Sequence, residues 1–248
     1  MLEAASSEFL NLDLLPHLAL YTAAICAYTL LCRVSEYLKR KGSNHHLRSQ
    51  FVVFWVHHPD PSDATDIRPF LYIPSCDIWQ YPLARIAGIS VTIKDSKADQ
   101  EGASDKYNFP RFVGLWPSTM VYDYSEVMYK FACRARPLHD QPFFSSSSPE
   151  KLMLSAESFN KWLKVKVAPS FGLNPDRVHT HSLRFAGAST LAAANIPDSV
   201  IMKMGRWKSL AFLGYIRLAK EIFSRVAAAL SNRTVLPAAD IGNLMPGL

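Results

Sequence analysis

Apolar residues dominate the chain from Leu14 to Cys32, with no Asp, Glu, Lys or Arg among them. A run of that length is just long enough to cross a bilayer. Pro16, His17, two Thr and two Tyr interrupt it, and it reads instead as a buried helix. Asp13 is placed to cap the start, with Pro16 in the first turn. The pattern predicts that this helix continues through Arg33-Val34-Ser35-Glu36. It should fade at Lys39-Arg40-Lys41-Gly42, where basic residues and a glycine are stop signals.

Beyond that point the period changes. Phe51–Val56 and Phe70–Ile73 are β-rich runs on either side of a Pro/Asp loop. Ile89–Lys94 alternates as a short strand, 95–102 is a polar turn, and Tyr107–Val113 is expected to return as its hairpin partner. Tyr124–Arg136 is helical in pattern. Pro137–Pro149, with serines at 145–148, is expected to be a solvated linker. Further helices are predicted from Ser155 to Lys164, from His179 to Ala194 with Asn195 as the C-cap, and from Pro197-Asp198-Ser199 to Met204. Leu210–Ile216 and the amphipathic Ala219–Leu230 follow. The fold class is therefore α+β, mostly α-helical with a small antiparallel β-sheet. We expect a lead-in at 1–13, one domain over 14–235 in which 43–90 stand apart as a candidate insertion, and a tail at 236–248.

Composition sharpens this picture only slightly. At 248 residues and 49% hydrophobic content a sizeable core can be buried. The formal net charge of +6 suits a polyanionic partner without naming one. Cys26, Cys32, Cys76 and Cys133 are not at metal-ligand spacing and are too few for a disulfide scaffold. They read as reduced thiols in an intracellular protein, and no signal peptide is evident. The pairs His45-His46 and His57-His58 have no carboxylate or Cys beside them that completes a metal site, so neither metal nor cofactor is expected.

The chemistry concentrates between His181 and Arg217. The stretch contains His181-Ser182-Leu183-Arg184, then Gly205-Arg206-Trp207-Lys208, then Gly214-Tyr215-Ile216-Arg217. A His and an Arg three apart share one face of a helical turn. Cleaving a phosphodiester without a metal needs permanent cations on its non-bridging oxygens, a nucleophile in line and an acid for the leaving oxygen. Arg, His, an indole N–H and a tyrosine hydroxyl supply such groups.

This constellation resembles the catalytic core of tyrosine recombinases, also called phage-integrase-type recombinases. The Gly-Arg-Trp…Tyr-Ile-Arg form is similar to recombinases of eukaryotic mobile elements. By that resemblance Arg184 and Arg33 clamp the scissile phosphate, and His181 acts as acid/base or phosphate donor. Trp207 supplies a ring N–H, and Tyr215 is the nucleophile. Glu36, in Arg33-Val34-Ser35-Glu36, is implied to be a buried orienting partner. Lys97, in the hairpin turn, would protonate the leaving oxygen, with Lys94 as its rival. Lys94, Arg206, Lys208 and Arg217 are expected to touch DNA. Two departures stand out: Tyr215 follows Trp207 one residue sooner than in most bacterial members, and Phe185 replaces a His that is frequent after the Arg.

The implied function is site-specific DNA recombination or integration through a 3′-phosphotyrosyl intermediate. The implied partners are double-stranded DNA and a homotetramer on two sites, with Ala219–Leu230 packing on a neighbouring subunit. Family members carry an N-terminal DNA-clamp domain that is not recognisable here. A non-catalytic DNA-binding relic or domesticated factor, and a type IB topoisomerase-like enzyme, are the alternatives. The location would be intracellular, nuclear in a eukaryote.

Overall fold

The computed structural model describes residues 10–42, 46–58, 69–94, 104–111, 122–147 and 151–216. They form a mixed α+β fold with a small antiparallel sheet. Helix α1 (Leu15–Thr29) is its centre: Ala19, Ala23, Ile25, Cys26 and Ala27 are completely buried. A helix apolar on nearly every side has to be surrounded. Here α3 (Tyr124–Ala135) and α5 (Thr180–Ala193) pack against it. At 15 residues α1 is too short to span a bilayer. No described helix is long and apolar enough to cross one.

The expected continuation of α1 through Glu36 does not occur. Leu31 takes a left-handed backbone conformation, with φ at +48°, and Arg33 is extended. The chain then restarts as a single turn, α2 (Val34–Tyr37). Leu14, not Asp13, occupies the N-cap of α1, and no side chain caps it. The Asp13 N–H is engaged instead by Asn11 Oδ1 at 2.9 Å.

Four strands, β1 (Val52–His57), β2 (Phe70–Pro74), β3 (Ile86–Ile93) and β4 (Asp105–Pro110), build one sheet in the order β2-β1-β3-β4. Each neighbouring pair is antiparallel, with Phe54 opposite Ile89 and Ile89 opposite Phe109. Alternation sends Val52, Phe54, Val56, Ile89, Val91 and Ile93 inward, all buried in the main core. Strands β3 and β4 form the expected hairpin, closed at Ile93 opposite Asp105. Residues from 43–90 therefore supply β1, β2 and the start of β3 to the same sheet and core.

The serine-rich stretch departs from its expected solvated character. Phe143 and Phe144 are buried, with ring centroids 5.3 and 5.4 Å from that of Phe131, and Tyr37 meets Phe144 edge-on. Ser145 is buried with them and bonds back to Pro142 O. Two adjacent aromatic rings outweigh the polarity of the serines that follow.

Ser155 caps α4 (Ala156–Trp162) through a reciprocal bond with Ser158. The helix runs on past the expected Lys164, through a π-helical stretch at Leu163–Val167, to Ser170. Helix α5 starts after His179. Asn195, just beyond its end, has φ at +57°, the left-handed position an Asn tolerates. Then α6 (Asp198–Gly205) ends at Arg206, also left-handed, and a 3-10 turn spans Leu210–Tyr215. A second small core of Leu31, Ala188, Ile201 and Phe212 holds these last elements on the end of α1.

Candidate functional site

The close approach of α5 to α1 brings the cations together. A Cβ at Gly187 would lie 2.3 Å from Tyr28 O and 2.5 Å from Leu31 Cδ2, so only glycine lets the two backbones touch. One turn earlier on α5, Arg184 is fully buried beside the break in α1. Its Nη2 donates to Gly205 O, and its guanidinium carbon stands 4.2 Å from the centre of the Trp207 ring. Trp207 folds back over Gly205, where an added Cβ would fall 1.6 Å from Trp207 Cζ3. The indole also meets Phe212 of the 3-10 turn, with centroids 6.1 Å apart.

Arg33 sits at the break itself. Its backbone N–H donates to Glu36 Oε2 at 2.6 Å and its Nη1 to Glu36 Oε1 at 3.0 Å. The Arg33 side chain remains 25% exposed, whereas that of Glu36 is only 2% exposed. The second cation on Glu36 is Arg206, with Nη2 2.8 Å from Oε2. Arg206 was expected to face DNA. It is instead turned inward and buried, donating also to Leu30 O at 3.3 Å, Leu31 O at 3.1 Å, Met204 O at 2.9 Å and the Tyr107 hydroxyl at 2.9 Å. The physical reason is the broken helix, which leaves carbonyls at Leu30 and Leu31 needing donors. A five-donor guanidinium can serve several of them while neutralising Glu36.

Electrostatics follow from this packing. Burial, then the Arg184 charge, holds His181 below the ordinary imidazole range; His179 and Arg33 add to the effect and Glu36 opposes it. His181 is therefore neutral at pH 7. Burial, then Arg33, pushes Arg184 down to about 10, which still leaves it charged at pH 7. Burial acts to raise the Glu36 carboxyl, but the charges and hydrogen bonds of Arg206 and Arg33 together outweigh it and the net direction is down. Three guanidiniums against one carboxylate leave the pocket positive.

Arg33, Glu36, His181, Arg184 and Trp207 thus converge from elements far apart in sequence. Tyr215 closes the 3-10 turn that abuts Trp207; its side chain lies outside the described part, as do Lys97, Arg217, the predicted helix Ala219–Leu230 and the tail 236–248. Lys94 is exposed just past β3, with Nζ 4.3 Å from the centre of the Phe51 ring. Lys208 is exposed next to Trp207. Sequence reasoning missed Tyr107, whose hydroxyl bonds Met204 O at 3.2 Å as well as Arg206. The signal was its inward parity on β4, between exposed Lys106 and Asn108. Among the described residues no group of three or more His, Cys, Asp or Glu is placed to hold a metal ion. In comparisons with known proteins, neither a protein-family model nor a curated protein matches this chain.

Proposed function

We propose that this chain is a tyrosine recombinase-like catalytic domain that cuts and rejoins double-stranded DNA. One observation carries the reading: Arg33, His181, Arg184 and Trp207, from three separate segments, gather in one positively charged cluster beside the turn that ends in Tyr215.

In this reading the scissile phosphate meets the partly exposed Arg33 first, and it reaches the fully buried Arg184 only when the loop carrying Trp207 shifts aside. Two fixed guanidiniums offset the charge that builds on its non-bridging oxygens in the transition state. The Tyr215 oxygen attacks phosphorus, and the bond between phosphorus and the 5′ oxygen breaks. The products are a 3′-phosphotyrosyl bond and a free 5′ hydroxyl. A phenol has an ordinary pKa near ~10, so its proton needs an acceptor; His181, neutral at pH 7, is a suitable one. Lys97 or Lys94 would return a proton to the leaving oxygen. A second 5′ hydroxyl then reverses the attack and exchanges strands, and the covalent bond conserves the phosphodiester energy. A homotetramer on two DNA sites, an intracellular location and, in a eukaryote, a nuclear one follow from the same proposal.

The test is covalent trapping on nicked duplexes of randomised sequence. A denaturant-resistant adduct, lost in Tyr215→Phe, is the expected result. Salt-sensitive DNA binding with no adduct would instead favour a non-catalytic DNA-binding protein. Relaxation of supercoiled DNA without sequence preference would favour a topoisomerase.

A further inference from the structure

Beyond the groups that would touch a phosphate, we infer that buried Arg206 is a positioning residue: by neutralising Glu36 it leaves Arg33 free to bind an oxyanion. The inference deepens the proposed function and rests on its assignment of Arg33 as a phosphate clamp.

Glu36 faces two guanidiniums. Arg33 approaches Oε1 through Nη1 at 3.0 Å, and Arg206 approaches Oε2 through Nη2 at 2.8 Å with Nε 3.4 Å from Oε1. In a site where Glu36 and Arg206 are both 2% exposed, a carboxylate with a single cationic partner would draw that partner into a full two-pronged pair. Arg33 would then be neutralised and turned from the pocket mouth. With Arg206 engaging both oxygens, Arg33 gives Glu36 one side-chain bond and stays partly exposed. Arg206 is itself anchored from three directions, by the carbonyls of Leu30 and Leu31 at the end of α1, by Met204 O at the end of α6 and by Tyr107 on β4. It therefore fixes the spacing between the segment carrying Arg33 and the loop carrying Trp207.

Arg206→Lys keeps the charge but removes the planar fork, so it should lose the aim of Arg33. The measurement is a titration of the full chain with inorganic phosphate, followed by NMR at the His181 ring. Arg33→Ala should weaken phosphate binding about tenfold, the value of one charge-assisted hydrogen bond. Arg206→Lys should weaken it to a similar extent, and the double variant no further, because the two changes remove one interaction. Independent, multiplying losses would overturn the inference, as would an unchanged affinity in Arg206→Lys. A wild-type chain that does not bind phosphate would overturn it as well. If Arg206→Lys does not fold, Glu36→Gln takes its place: cutting its pull on Arg33 should leave phosphate binding at least as tight as wild type, and loss there counts against the inference. The readout does not require DNA cleavage. Phosphate binding with the expected non-additivity but no Tyr215 adduct would sink the proposed reaction and leave the role of Arg206 standing.

Discussion

The guanidinium of Arg184 stands over the indole of Trp207, its central carbon 4.2 Å from the ring centre, with no exposed surface on the arginine. The contact joins the second turn of α5 to the loop after α6. A desolvated cation over an aromatic face contributes up to ~2 kcal/mol. Trp207→Leu should therefore lower stability by about that amount. Chemical denaturation compared with Trp162→Leu, a tryptophan away from the pocket, checks it: equal losses in the two would argue against a specific contact.

Gly205 is what allows that stacking. Any side chain at this position would occupy the volume of the Trp207 ring. Gly205→Ala should displace the indole and cost roughly 1–3 kcal/mol, typical of overpacking. Fluorescence quenching would report greater exposure of a tryptophan, and an unchanged spectrum would contradict the expectation.

A matching prediction concerns Gly187, where the obstacle is backbone rather than a ring. Alanine raises helix propensity by about 1 kcal/mol, so an open site would be stabilised. Here Gly187→Ala should lower the melting temperature instead, because Tyr28 O cannot give way without moving α1. A rise would mean that the two helices separate at little cost.

Acid should weaken the fold in two stages. His181 has its folded pKa below the ordinary 6.5, so the unfolded chain binds its proton first. Stability from this group is complete above about 6.5 and declines as pH falls toward the lower folded value. Glu36, also depressed, adds stability above its ordinary 4.5 that is lost as pH drops through the folded value. A melting-temperature profile from pH 8 to 3 would reveal both, and His181→Asn should remove the upper stage only. An unaltered upper stage in that variant would refute the assignment.

Much of this architecture was written locally. The alternation of Ile89–Lys94 and its polar turn marked the β3–β4 hairpin, and Ser155 announced a helix start that its side chain does cap. The spacing of His181 and Arg184 put them on one helical face, but only the longer stretch through Tyr215 singled them out as candidates. What stayed hidden depended on distant partners. Arg206 looked like a surface cation because its carboxylate lies 170 residues away. Phe143 and Phe144 looked like part of a linker because the aromatic group that buries them comes from α2 and α3. The break at Leu31 was invisible for the same reason: its carbonyls are satisfied by a residue near the other end of the described chain.

That last bond sets an order on biosynthesis. The end of α1 is made early, yet the guanidinium that donates to its carbonyls belongs to one of the last described residues to leave the ribosome. Until residue 206 emerges, Arg33 is the only one of the two guanidiniums present at Glu36, and Arg184 and Trp207 have not both been delivered. The nascent chain can collapse around α1 and the sheet, but the positively charged pocket comes into being in a single late event. A chain cut short before that point would carry a core without a site.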